Sequence, residues 1–208
     1  MNNRFKTRAL SWSQLQSFQY SADDWFDNYI LGKRQPPNSL MLAGSRIGDA
    51  IGTDDSPIDN SLVPGTKEYT VKAEIDGIKM VGHLDHFCPD TLTLNENKCS
   101  DTKGRWTQSK VDKHGQITMY VMLLQAQDGI APESVECWLN FLLLDHIGVD
   151  YQLHDPPVVK RFKTSRTKEQ VDQFLEDTKR TVELMHQYIE QREREMKFST
   201  PAPVAPAW

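Results

Sequence analysis

The dipeptide Asp76-Gly77 constrains what this chain can fold into more than any other pair of residues. Before it, Tyr69, Val71, Ala73 and Ile75 alternate with polar residues; after it a largely apolar run leads from Ile78 to Asp85. Alternation at a period of two, interrupted by Asp-Gly, predicts a β-hairpin, because both residues tolerate the positive φ angles of a two-residue turn. A second turn signal, Cys88-Pro89-Asp90-Thr91, precedes another alternating run over residues 92–98. Three strands in series form an antiparallel meander. On the third, Glu96 and Lys98 share one side of the pleat with Leu92 and Leu94. Asp85, ending the second strand, then meets a carboxylate and an amine of its neighbour.

The flanking segments predict helices. Residues 10–31 carry an apolar face (Leu15, Phe18, Trp25, Phe26, Tyr29, Ile30), with Ser11 or Ser13 as cap and a break at residues 21–24, where Ser21 or Asp23 caps again. Residues 40–51 form a second helix whose Ala43, Gly44 and Gly48 permit close packing. Residues 53–65 read as a surface loop. Residues 106–126 predict a helix, residues 135–144 a buried strand, and residues 149–163 an edge strand broken at Pro156-Pro157. Thr167 and Gln170 make a capping box for a closing helix that runs to about Met196. Residues 199–208, with three prolines, read as a flexible tail. The expected fold is α/β: one domain over residues 1–198, a sandwich with a mixed central sheet flanked by helices.

Composition excludes several classes. A chain of 208 residues suits one domain with a real core. No apolar run approaches about 20 residues, so no membrane span is expected. The basic start MNNRFKTRAL has no apolar segment behind it, which argues against a secretory signal. Cys88, Cys99 and Cys137 lack CxxC spacing, against both a disulfide framework and a zinc ribbon, so a reducing cytoplasm is expected. With a net charge of −5, nucleic-acid binding must rest on local basic runs. Two exist. Residues 98–113 hold five Lys or Arg against two Asp, with Trp106 among them, and residues 160–168 hold Lys160, Arg161, Lys163, Arg166 and Lys168 with no acid. Such runs are most often solvated faces; beside an acidic site they suit a phosphate backbone.

Two nearby carboxylates can hold Mg²⁺ or Mn²⁺ through hard oxygen ligands. The amine of Lys98 would stabilise negative charge on a phosphodiester and favour ionised Asp85 and Glu96. An Asp followed by Glu-x-Lys is, by itself, most often a set of exposed strand charges.

The order of these segments resembles the PD-(D/E)XK nuclease superfamily, in its RecB-like exonuclease branch. The matching residues are Ser11-Trp12-Ser13 opening an aromatic helix, Gly44-Ser45-Arg46-Ile47-Gly48, Gly82-His83-Leu84-Asp85, Glu96-Asn97-Lys98, and Gln116-Ile117-Thr118-Met119-Tyr120. The resemblance implies a restriction-endonuclease-like fold and a metal-dependent deoxyribonuclease, an exonuclease of DNA recombination, repair or processing. It implies that Asp85, Glu96 and the backbone carbonyl of Asn97 bind Mg²⁺ or Mn²⁺, that Lys98 is catalytic, and that Gln116 lines the site with Tyr120 behind it. Arg46, Ser100, Lys103, Arg105, Trp106, Lys110, Lys113, Lys160, Arg161 and Lys163 are the expected DNA contacts. The family's usual histidine of the second helix is replaced by Gly48, which leaves Asp49 or Glu74 to supply an oxygen. Three scattered cysteines exclude the four-cysteine iron–sulfur cluster of some relatives. Unwinding would then need a helicase or recombination partner, or a ring-like homo-oligomer. A structure-specific endonuclease and a degenerate, non-catalytic binder of DNA or protein are the alternatives.

Overall fold

A computed structural model of the chain describes residues 8–33 and 35–199, the last three without side chains; residues 200–208 of the expected tail lie outside them. Helix α1 (Trp12–Tyr20) ends at Ser21, whose hydroxyl accepts a hydrogen bond from the Asp24 amide at 3.1 Å and so starts α2 (Ala22–Trp25). That helix widens into a π-helical turn over Phe26–Ile30. The break expected at residues 21–24 is present, with Ser21 as its cap. Helix α3 (Ser39–Ala50) is capped by Asn38.

The meander follows as β1 (Thr66–Ile75), β2 (Ile78–Cys88) and β3 (Thr93–Ser100). Asp76 and Gly77 take φ angles of 50° and 78°, the left-handed pair that a two-residue hairpin requires. Leu92, expected in the third strand, instead closes the preceding turn with φ 50°. Strand β4 (Glu136–Ile147) lies parallel to β3, and its other edge pairs with β6 (Val159–Thr164) and then β5 (Asp150–Leu153). The sheet is therefore six-stranded and mixed, in the order β1-β2-β3-β4 with β5 and β6 sharing the far edge.

The helix expected over residues 106–126 is two: α4 (Gln108–Asp112) and α5 (Gly115–Asp128). A buried cation separates them. The Arg166 guanidinium donates to the carbonyls of Val111 and His114, at 3.0 and 3.2 Å, and to Thr118 Oγ1 and Thr164 Oγ1. Gly115 fits at the joint because a Cβ there would come within 2.4 Å of the Trp12 ring. Every residue of α5 from Ile117 to Leu124 is buried, so this helix is a core element and not a half-exposed one. It packs across β1 and β2, and α6 (Lys168–Ser199) packs against it, opened by the expected reciprocal bonds of Thr167 and Gln170. A smaller cluster of Ile51, Ile58, Val63 and Leu142 fills a separate core region next to α3.

Candidate active site

The β2–β3 ladder runs only from Cys88–Thr93 to His86–Asn95. Past that point the Asp85 carboxylate takes over, with Oδ2 accepting from the Asn97 amide at 2.6 Å. The opposite edge of β2 is also irregular. Lys67 pairs with His86 and Tyr69 with Leu84, but Glu68 and Asp85 between them do not pair, and Glu68 has φ 52°. A residue with a side chain costs about 1 kcal/mol or more in that region, a strain that concentrates at functional sites. Asp85 is thus released from both neighbouring ladders and aimed by a side-chain bond instead.

On β3, Glu96 and Lys98 share a face as the pleat requires, and Lys98 Nζ lies 2.5 Å from Glu96 Oε1. The amine also donates to Gln116 Oε1 at 2.8 Å. Gln116 Nε2 donates to the Tyr120 hydroxyl at 2.6 Å, and that hydroxyl donates to the His83 carbonyl at 2.7 Å. The direction of this relay follows from its far end. A backbone carbonyl can only accept, so Tyr120 must give its proton to His83 and accept from the amide nitrogen of Gln116, which turns the amide oxygen toward Lys98. Gly82 is explained by the same contact: a Cβ there would sit 2.8 Å from the Tyr120 ring. The sequence-predicted residues Asp85, Glu96, Lys98, Gln116 and Tyr120 are therefore brought together.

Burial outweighs the lysine. It pushes the Glu96 carboxyl up to about 8; Lys98 opposes the rise and Asp85 adds to it. Asp85 is raised as well, first by burial and further by Glu68, against the Asn97 amide and Lys98. Burial acts to lower Lys98, but Glu96 and Asp85 hold it above the ordinary lysine value. Lys98 favours the ionised form of both acids, as expected, but its field is smaller than the cost of dehydrating two carboxylates.

Each acid keeps one oxygen without a donor among the described residues. Glu96 Oε2 is buried and unpartnered, and Asp85 engages only Oδ2. Two such oxygens beside the Asn97 backbone suit a hard cation. No cluster of three or more His, Cys, Asp or Glu side chains arranged to hold a metal occurs among the described residues, so this is a two-carboxylate set. Asp49 and Glu68 line the same cavity as Asp85, of about 660 Å³, together with His86, Gly44 and Gly48. Glu74, by contrast, lies opposite Lys79 and lines neither this cavity nor the larger one. Glu68 carried no signal in the sequence, since only the irregular pairing of β1 turns it toward Asp85. Gly44 and Gly48 are not packing residues: a Cβ at either meets nothing within 4 Å.

A larger cavity of about 980 Å³ adjoins the first and shares Gln16, Leu40, Lys98, Cys99 and Arg105 with it. Of the expected DNA contacts, Ser100, Arg105, Trp106, Lys110 and Lys113 line it, and Lys103 is exposed on the adjacent loop. The other expected contacts are elsewhere. Arg46 pairs with Asp150 at 3.3 Å, and Lys163 with Glu136 at 2.5 Å. Arg161 lies over the Trp138 ring at 4.2 Å and donates to Asn140 Oδ1 and the Leu62 carbonyl, both at 2.8 Å. Neither these three nor Lys160 lines a cavity that contains Lys98.

No family profile matches the chain, and no curated protein matches it. Solved structures do. A phage-related exonuclease from Haemophilus somnus 129PT superposes with a TM-score of 0.57 at 16% identity, covering 93% of each chain. An alkaline exonuclease from Laribacter hongkongensis superposes with a TM-score of 0.50 at 16% identity, covering 95% of this chain and 96% of that one. A protein from Eubacterium rectale, provisionally named an exonuclease, gives 0.59 at 11% identity over 89% and 82%. This chain has the fold of those exonucleases. The Laribacter enzyme is also solved in complex with dAMP. Among the described residues, no helix is long and apolar enough to cross a membrane.

Proposed function

We propose that the chain is a metal-dependent deoxyribonuclease that hydrolyses phosphodiester bonds from DNA ends. The observation that carries this reading is the set Asp85, Glu96, Lys98, Gln116 and Tyr120, placed where a cavity holding three carboxylates meets a largely basic one. Asp85, Glu96 and the Asn97 carbonyl would hold Mg²⁺ or Mn²⁺. When bound, the cation would neutralise charge on the phosphate and acidify a water. Lys98 directs two of its three protons to Glu96 and Gln116 and keeps the third for a phosphate oxygen or the attacking water. Gln116, fixed by Tyr120, holds that amine in place. Arg105, Lys110 and Lys113 meet the DNA backbone and give sequence-independent, salt-dependent affinity. The fold's occurrence in exonucleases, one of them solved with a nucleotide, supports the same reading.

The test uses end-labelled linear DNA and covalently closed circles with Mg²⁺ or Mn²⁺. Linear DNA is degraded, circles survive, EDTA stops the reaction, and Asp85→Ala and Lys98→Ala lose at least a thousandfold in kcat. Equal activity in those variants overturns the assignment, and cutting of circles makes the protein an endonuclease. A second reading, a non-catalytic DNA binder, draws on the open space at Gly48 and the two-carboxylate donor set. Isothermal titration with Mn²⁺ separates the two: tight DNA binding without Mn²⁺ binding favours the second.

A further inference from the structure

The two cavities that meet at Lys98 have unlike walls. The smaller sets Asp49, Glu68 and Asp85 beside Lys67, Lys98 and Arg105 and has no aromatic ring but that of His86, whereas the larger has a single acid, Asp101, and carries the rings Trp12, Tyr20 and Trp106 beside Arg105, Lys110 and Lys113. Tyr20, the last residue of α1, leaves 82% of its surface exposed at this cavity, and its hydroxyl has no partner among the described residues. Nothing in the fold requires a large ring there. Trp106 and Trp12 are held firmly: Trp106 packs edge-on against His114 at 4.9 Å, and Trp12 lies against Gly115. Burial, then Lys98 and Arg166, push His114 down to about 3, so it adds neutral ring surface to this wall. Lys110 Nζ donates to the Arg105 carbonyl, whereas the side chains of Arg105 and Lys113 have no ion-pair partner among the described residues.

Rings and unpaired cations around one cavity match a particular chemistry. A duplex buries the faces of its bases and offers only phosphates, while an unpaired strand offers both; aromatic stacking plus a basic groove is how unpaired strands are held. We infer that the larger cavity binds an unpaired stretch of the DNA strand, its bases stacked on Tyr20 and Trp106 and its phosphates against Arg105 and Lys113, leading the strand end to Lys98. The inference rests on the proposed nuclease site only for where the scissile phosphate lies, and it adds the strand state of the substrate and the residues that select it.

Fluorescence anisotropy with a fluorescein-labelled oligothymidylate, in EDTA so that nothing is cut, tests it. Tyr20→Ala weakens binding roughly 5- to 100-fold, the range that loss of one stacked base implies. Tyr20→Phe, which keeps the ring, restores it. An abasic oligomer of the same length binds wild type and Tyr20→Ala alike, and relaxed closed circular duplex competes at least tenfold less well per nucleotide than the single strand. Because Tyr20 is so exposed, its replacement leaves the fold intact, and a thermal melt verifies this. Unchanged oligothymidylate binding by Tyr20→Ala, or equal competition by the closed duplex, overturns the inference. A Lys98→Ala variant that still degrades DNA would remove the nuclease site without touching this result, since the binding assay needs no hydrolysis.

Discussion

The two basic runs, residues 98–113 and 160–168, look alike in sequence and are used in opposite ways. The first lines a cavity that contains Lys98, and its Arg105 and Lys113 have no acidic partner among the described residues. The second, Lys160 apart, is spent on contacts within the protein, one of them buried and the others at its surface. Arg166 is 1% exposed and organises the joint between α4 and α5; Arg161 is bonded to Asn140 and Asn95; Lys163 and Lys168 pair with Glu136 and Asp172. Local charge density therefore does not identify a DNA surface. What matters is whether the fold supplies each cation with an internal acceptor, because a guanidinium already fully bonded has no donor left for a phosphate.

The strongest way to break this comparison is to remove a cation from the second run. Arg166→Ala removes the buried guanidinium that ties the carbonyls of Val111 and His114 to two hydroxyls and leaves its volume empty, and should cost about 2–5 kcal/mol of stability in denaturant unfolding. If Arg166 were a DNA contact, stability would stay level and only affinity would fall. Arg161→Ala should act at one remove. Asn140 Nδ2 donates to Asn97 Oδ1 at 2.9 Å and is itself oriented by Arg161, so the change loosens the residue whose amide grips Asp85. The expected outcome is a loss of about 10- to 100-fold in kcat and in Mn²⁺ affinity, with the salt dependence of DNA binding unchanged. A reduced salt slope would return Arg161 to the DNA-binding set.

Acid titration sharpens the contrast between Lys98 and the paired cations of the second run. The folded Glu96 value, about 8, lies above the ordinary carboxylate value of 4.5. Stability from this group is then complete below about 4.5 and is lost as pH rises through about 8. The Tm in EDTA should fall across that window, Glu96→Gln should flatten the fall, and Mn²⁺ should oppose it. A Tm that climbs from pH 5 to 8 would show that Lys98 does hold Glu96 ionised. Milder effects are expected within the first run: Arg105→Ala and Lys113→Ala should each weaken DNA binding several-fold and lower the salt slope by about one. Smallest of all is Lys160→Ala, an exposed residue remote from both cavities, which should leave stability within about 0.5 kcal/mol and the salt slope intact.

Local signals carried the architecture far. Asp76-Gly77, the Thr167–Gln170 box, the Ser21 cap and the strand break at Pro156-Pro157 all depend on interactions within a few residues, and each is where the sequence places it. The split between α4 and α5 was not legible, because it is made by Arg166, some fifty residues away. Gly48 was misjudged as a packing residue for the same reason: whether a missing side chain meets a neighbour or open space depends on what the fold places opposite it.

Within the site, the alternation of a strand was enough to put Glu96 and Lys98 on one face, and the 3.6-residue turn was enough to align Gln116 with Tyr120. Those are properties of single elements. That Asp85 leaves its ladders to bond Asn97, that Glu68 turns in beside it, and that burial overrides Lys98 were decided only by the packed structure. Dehydration and ladder irregularity arise between elements, and no window of neighbouring residues contains them.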